Sequence, residues 1–151
     1  MATVKSKRAP ADTGPVLGID PGARRIGIAV SDPECTVASG LDTLRVKSLR
    51  EAVSLVTRLA EERGVRKVVV GFPLNMNGSE GERAREARTF AKLLEGRSGA
   101  EVVLWDERLT SAQARGELGR LGVRGAAARD KARVDRVAAT ILLQSYLDSR
   151  K

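Results

Sequence analysis

Four acidic residues of this 151-residue chain stand where the local pattern predicts a strand end or a helix start. Asp20 ends an apolar run and precedes Pro-Gly, Asp106 and Glu107 follow another apolar run, and Asp135 begins an amphipathic stretch. Carboxylate oxygens are the ligands that Mg²⁺ and Mn²⁺ favour. Two such ions about 4 Å apart can activate a water molecule for phosphodiester hydrolysis. These residues could therefore support metal-dependent cleavage of a phosphodiester.

Each acid also has a purely structural explanation. Asp20 could be the first residue of a turn, and Asp135 could complement the dipole of its helix. Asp106 and Glu107, with Arg108 behind them, could form a solvated strand end. Because side chains alternate along a regular strand, at most one member of this pair should point toward a shared site. The residues alone leave both interpretations open.

The charge balance favours a polyanionic partner. Lys and Arg total 27 against 19 acidic residues, which gives a net charge of +8. A surplus of this size suits nucleic acid, although it could also serve solubility alone. Guanidinium and ammonium groups near a metal site suit contacts with a phosphate backbone rather than sequence readout. The candidates for such contacts are Arg24, Arg25, Arg108, Lys131 and Arg133.

The composition excludes several classes of enzyme and site. The chain has no His and one Cys, Cys35, which rules out Ser-His-Asp and Cys-His nucleophile systems, Cys/His zinc sites and intrachain disulfides. A single Cys fits a reducing cytosol. Aromatic residues make up 3%, too few for a platform that stacks several bases. With no run of 18 apolar residues, we expect no membrane-spanning helix and a cytoplasmic protein.

The elements that would position the acids follow from apolar periodicity. We expect residues 1–14 to be a flexible basic tail and residues 15–151 to be one domain. Apolar runs around a Pro-Gly turn predict a hairpin, and a continuous apolar run predicts a strand buried on both faces. The expected strands lie at 16–20, 25–31, about 37–46, 66–72 and 101–106.

Helices are expected between and after these strands. Gly64 should end the first helix, and Gly96 should lie just beyond the second, which reaches about Leu94. The last helix covers 134–148. Strand–helix alternation after a hairpin predicts an α/β fold with a mixed sheet, whose ligands lie beyond the carboxyl ends of the parallel strands. Three pairs have the spacing of a capping box: Ser48 with Glu51, Ser79 with Glu82, and Thr110 with Gln113.

Four segments together resemble the YqgF, or RuvX, family of bacterial proteins. They are LGIDPGARRIGIAVSD at 17–32, VVVGFPLNMNGSEG at 68–81, WDERLTSAQA at 105–114 and VDRVAATILLQSYLD at 134–148. They occur in the family's order and span almost all of the chain after residue 15. The resemblance implies an RNase H-like fold, a five-stranded mixed sheet of order 3-2-1-4-5 flanked by helices, similar to Holliday junction resolvases.

The resemblance also implies a function. Members of this family are described as metal-dependent nucleases that process the 5′ end of pre-16S rRNA in ribosome biogenesis. By position, Asp20 matches the first-strand Asp, Glu107 or Asp106 matches the acidic pair of the family's DER motif, and Asp135 matches the Asp that opens the last helix. These carboxylates would bind Mg²⁺ or Mn²⁺, with Asp20, Glu107 and Asp135 as the catalytic set.

Two other functions fit the same residues. One is a Holliday junction resolvase acting on branched DNA, which would require a symmetric dimer. The sequence has no coiled-coil seam, so a monomer or weak dimer is expected. The other is a non-catalytic RNA-binding factor in ribosome assembly, whose binding would be salt-sensitive and independent of metal. In each case the partner is structured nucleic acid, either RNA in ribosomal precursor particles or branched DNA.

Overall fold

Five strands form one mixed sheet in the computed structural model, which describes residues 14–109 and 131–150. The first strand is antiparallel to the second and parallel to the fourth, and the fourth is parallel to the fifth. The order across the sheet is β3-β2-β1-β4-β5, which confirms the expected topology. The strands are β1 (Val16–Asp20), β2 (Arg25–Ser31), β3 (Ala38–Arg45), β4 (Lys67–Phe72) and β5 (Glu101–Asp106).

Three helices cover the two faces of this sheet. They are α1 (Leu49–Glu62), α2 (Glu82–Ser98) and α3 (Lys131–Ser149), and a single 3₁₀ turn, Glu107–Leu109, follows β5. Helices α1 and α2 pack on one face and α3 on the other, so β1 and β4 are buried on both sides. In the described residues, no helix is long and apolar enough to cross a membrane.

The predicted start of α1 is confirmed. The Ser48 hydroxyl oxygen accepts the Glu51 N–H at 3.1 Å, and the Glu51 carboxylate accepts the Lys47 N–H at 2.6 Å. The first helix ends at Glu62, and Gly64 follows with a left-handed backbone at φ +66°. The local sequence is sufficient to predict this helix start because the hydrogen bonds of the cap join residues close together in the chain.

The predicted bounds of α2 are wrong at both ends. Ser79 does not cap the helix, because its N–H and hydroxyl both donate to the Asn77 side chain, and Gly81 stands at the cap. The helix continues to Ser98, and Gly99 ends it with a left-handed φ of +75°. Gly96 is tolerated inside the helix at a modest cost in stability.

The remaining boundaries differ little or cannot be compared. Helix α3 begins at Lys131 rather than at 134. The expected tail at 1–14 lies outside the described residues except Gly14, whose N–H donates to the Pro33 carbonyl. The helix expected after Thr110 also lies outside the described residues.

Candidate active site

Asp20 is the last residue of β1, at the sheet edge where the parallel strands β4 and β5 also end. It is partly buried and opens onto a pocket of about 310 Å³. The wall consists of Asp20, residues 21–25, Arg83 from the first turn of α2, and Asp135 from the second turn of α3. Ligand sites of open α/β sheets lie at this edge.

Glu107 reaches Asp20 from the far side of β4. Because neighbouring strands are about 4.8 Å apart, a group on β5 must cross roughly 10 Å to reach β1. The path exists because Gly71 of β4 has no side chain: a methyl group there would stand 2.3 Å from the Glu107 carboxylate oxygen Oε2. The carboxyl groups of Asp20 and Glu107 lie close enough to share a hydrogen bond when one of them is protonated.

Asp106 faces a different partner. Its carboxylate accepts bonds from the Arg108 guanidinium, at 2.7 Å to Nη2, and from the Arg108 N–H at 2.9 Å. These bonds hold the pKa of Asp106 below its ordinary value. The two side chains therefore point to different places, with Glu107 toward Asp20 and Asp106 toward Arg108. That Glu107 rather than Asp106 is the metal ligand stays a prediction.

Asp135 reaches the pocket because α3 approaches the sheet closely. A methyl group at Gly27 of β2 would stand 2.3 Å from the Asp135 carbonyl oxygen, so only a glycine fits there. The Asp135 carboxylate pairs with Arg25, at 2.9 Å between Oδ2 and Nε. Since Gly27 lies opposite Asp20 in the β1–β2 ladder, this packing brings Asp135 beside Asp20.

The surroundings of the carboxyl pair favour its protonated form. Burial, followed by the charge and hydrogen bond of Glu107 and the charge of Asp135, raises the pKa of Asp20 to about 8. Burial also raises the pKa of Glu107. The nearby Arg83 charge opposes both shifts. At neutral pH the pair therefore carries less negative charge than two free carboxylates.

This donor set fits a hard divalent cation. Two oxygen-only side chains meet at one point, and a cation would replace the proton between them. In the described part of the chain, no three acidic, His or Cys side chains are close enough to form a complete ligand cluster. Asp135 is thus a candidate third ligand, but its carboxylate would have to break its ion pair with Arg25 before it could bind a cation. Asp20 and Glu107 already lie together.

The predicted basic residues fall into three groups. Arg24 and Arg25 line the pocket, and Arg25 pairs with Asp135. Arg108 binds Asp106 and donates to the Met76 carbonyl at 3.2 Å. Lys131 and Arg133 are exposed at the start of α3 and do not line the pocket.

The sequence reasoning did not identify two positions at the candidate site, Arg83 and Gly71. Arg83 lines the pocket and influences both carboxyls. The position of Arg83 in the sequence could have indicated this role, since a helix that follows a parallel strand begins at the ligand edge of the sheet. The apolar pattern predicts Gly71 only as part of a buried strand, although a glycine inside a strand often marks a site where another group approaches the backbone closely.

Comparison with known families gives one consistent result. The sequence profile of the RuvX family, described as "Holliday junction resolvase", matches residues 14–149. A protein of Chloroflexus aurantiacus named "Putative pre-16S rRNA nuclease" is 43% identical over 136 residues, which cover 90% of this chain and 88% of that protein. A protein of the same name from Caldanaerobacter subterraneus is 45% identical over 136 residues, covering 90% and 97%.

Solved structures extend the comparison to the fold. RuvC of T. thermophilus, in complex with a Holliday junction substrate, superimposes with a TM-score of 0.62 at 18% identity, covering 91% of this chain and 95% of RuvC. A fowlpox virus resolvase bound to Holliday junction DNA gives a TM-score of 0.54 at 12% identity, covering 90% and 98%. The described chain therefore has the RNase H-like fold of RuvC.

Proposed function

The chain belongs to the RuvX, or YqgF, family, and from this membership we propose that it is a divalent-metal-dependent nuclease that processes the 5′ end of pre-16S rRNA. The observation that carries the proposal is the carboxyl pair of Asp20 and Glu107. It lies at the ligand edge of the sheet, and its Asp20 member opens onto a pocket bordered by Arg24, Arg25 and Arg83.

The acidic residues would hold the metal. Asp20 and Glu107 would each release any bound proton to solvent and offer an oxygen ligand, and Asp135 would add a third if a substrate phosphate competes for Arg25. Mg²⁺ or Mn²⁺ bound there supplies activation of a water molecule and stabilises charge on the leaving oxygen. The buried setting strengthens these interactions because little water screens them.

The basic residues would hold the RNA backbone. Arg24, Arg25 and Arg83 border the carboxyl pair, so their guanidinium groups can bind the phosphate oxygens on either side of the scissile bond. Arg108, Lys131 and Arg133 lie farther out and would contact more distant phosphates. Such contacts position the strand without reading its sequence.

The setting of this activity follows from its substrate. An enzyme of rRNA maturation acts in the cytoplasm on RNA within ribosomal precursor particles, and we propose both for this protein. We further propose that it works as a monomer or weak dimer, because cleavage of one RNA strand requires a single site.

Cleavage of a 5′-extended 16S precursor fragment tests the proposal. Wild-type protein should cut it only with Mg²⁺ or Mn²⁺, and Asp20→Asn should bind but not cut. Asp42→Asn is the matched control, since the Asp42 carboxylate is 95% exposed and pairs only with surface Arg136 among the described contacts. RNA binding by both wild type and Asp20→Asn without any cutting would favour a non-catalytic assembly factor.

Resolution of branched DNA is a second candidate. The description of the matched family names a Holliday junction resolvase, and both the net charge of +8 and the carboxyl pair suit DNA phosphates as well as RNA. Competition separates the two functions. If a four-way DNA junction displaces precursor RNA and is cut symmetrically by a dimer, the resolvase function replaces the RNA-processing one.

A further inference from the structure

A second cavity, of about 590 Å³, adjoins the active-site pocket. It lies where α1 and α2 begin, and its volume falls within the range of about 300–1,000 Å³ that is usual for small-ligand pockets. The two cavities share part of the turn after β1, at 21–23, and the side chain of Arg83. A nucleic-acid strand bound in one cavity could therefore continue directly into the other. Apolar side chains form most of its wall, including Ile26, Val46, Leu49, Ala52, Pro73 and Phe90.

The charges at the rim of this cavity balance. Arg83 and Arg85 stand there with Glu82 and Glu86, all exposed on the first turns of α2. An apolar wall with a neutral rim disfavours a phosphate inside, because burying an anion without a surplus of positive charge is costly. The occupant that fits is a neutral group with apolar faces.

We propose that this cavity receives one unpaired nucleobase of the substrate strand, next to the phosphate held in the active-site pocket. The inference rests on the proposed nuclease function and adds a substrate class to it. Arg83, which lines both cavities, would bind the phosphate between the reacting nucleotide and the inserted base. The base leaves water for contact with apolar side chains, and this burial of apolar surface favours binding.

The cavity selects for an unpaired base rather than for its identity. Of the two hydroxyls in its wall, Thr89 donates its proton to the Arg85 carbonyl at 3.0 Å, whereas Ser48 accepts from the Glu51 N–H and keeps its own proton as a donor. One hydroxyl donor distinguishes the bases poorly, so recognition depends mainly on shape and apolar contact. The preferred substrate has a single-stranded nucleotide beside the scissile phosphate, and a fully paired duplex is a poor one.

An abasic scan tests the inference by binding alone. The probe is a labelled RNA hairpin with one single-stranded arm, whose duplex end fixes the register, and each nucleotide of the arm is replaced in turn by an abasic ribose. Fluorescence anisotropy is measured in EDTA, so that cleavage does not interfere. At one arm position the abasic probe should bind about tenfold more weakly, which corresponds to about 1.4 kcal/mol, and other positions should change less than about twofold.

A matched pair of variants locates the effect. Leu49 lines the cavity and is 43% exposed, whereas Leu93 is 47% exposed on α2 and does not line it. Leu49→Ser should weaken binding of the intact probe and reduce the abasic effect to about threefold. Leu93→Ser should leave both unchanged.

The outcomes separate this inference from the function on which it rests. If no arm position differs by more than about twofold in the wild type, or if Leu93→Ser changes the scan as much as Leu49→Ser does, the base-binding cavity is wrong. If the probe does not bind at all, the inference and the nucleic-acid function both fail. If the scan behaves as expected but no RNA is ever cut, the base-binding cavity stands and the nuclease function fails.

Discussion

Gly71 leaves the space through which Glu107 reaches Asp20. A methyl group at position 71 would lie 2.3 Å from the Glu107 Oε2 atom and 3.1 Å from its Cδ, well inside van der Waals contact. The glycine sits in the middle strand of the three that meet at this edge, β1, β4 and β5. The site therefore depends on a position that carries no functional group.

Substitution of this glycine should disable the site from a distance. Gly71→Ala displaces the Glu107 carboxylate by about 1 Å or more, and a misplacement of that size can lower a rate about 100-fold. Cleavage of the precursor fragment should fall accordingly, with only a small change in melting temperature. Gly96→Ala is the control, because nothing lies within 4 Å of a methyl group there. It should retain full activity and gain up to about 1 kcal/mol of stability. Normal activity of Gly71→Ala would show that the carboxyl pair is not needed.

The length of the Glu107 side chain should matter as much as its charge. Because the carboxylate has to cross β4, Glu107→Asp falls short of Asp20 by about one methylene, and Glu107→Gln reaches it without a charge. Both should lower kcat by about 100-fold or more. Asp106→Asn should lower it less than about tenfold, since Asp106 binds Arg108 rather than the site. If Asp106→Asn were the more damaging change, the assignment of Glu107 would be wrong.

The sequence predicted the strands that carry the site residues but not the contacts between those residues. The ends of β1, β2 and β5 matched because alternation, apolar runs and the turn at Pro21 are local signals. The choice between Asp106 and Glu107 was not local, because it depends on which strand lies between β5 and β1 and on what residue that strand offers. Ser79 illustrates a different limit, since a bond to a near neighbour, Asn77, competes with the helix cap.

Residues far apart in the chain account for the rest of the site. Asp135 is brought in by Gly27, more than a hundred positions away, through a backbone contact that no periodicity encodes. The local pattern made Asp135 a candidate and the family resemblance matched it to a family position, while the packing supplies the physical reason that it reaches the site. Arg83 lies among other charged residues of α2, so the sequence pattern does not distinguish it from a solvated helix face.

Without metal, the stability of the protein should fall as pH rises from about 5 to 8. The pKa of Asp20 is raised from 3.8 to about 8 in the folded protein, so across this window the folded state holds a proton that the unfolded state has released. The free energy of unfolding, from urea titrations in EDTA, should decrease through the window. No His titrates in this window, because the chain has none. The pKa of Asp32 is lowered to about 2, so the contribution of Asp32 to the pH dependence of stability lies below the window.

Two controls test the origin of this slope. Asp20→Asn removes the titrating group and should give a nearly flat profile between pH 5 and 8. Millimolar Mg²⁺ should stabilise wild type most at pH 8, where the pair is readiest to ionise, and should stabilise Asp20→Asn much less. A flat wild-type profile in EDTA would mean that Asp20 and Glu107 do not share a proton.

Arg83 should act on the RNA backbone rather than on the chemical step. Its guanidinium lines both cavities, so Arg83→Gln should raise KM for the precursor fragment about tenfold and change kcat little. It should also reduce the slope of log Kd against log salt concentration by about one, the signature of one lost phosphate contact. Arg97→Gln, in the last turn of the same helix and outside both cavities, should change neither quantity. A lower kcat with an unchanged salt slope would instead mean that Arg83 acts by tuning the carboxyl pair, whose pKa values its charge lowers.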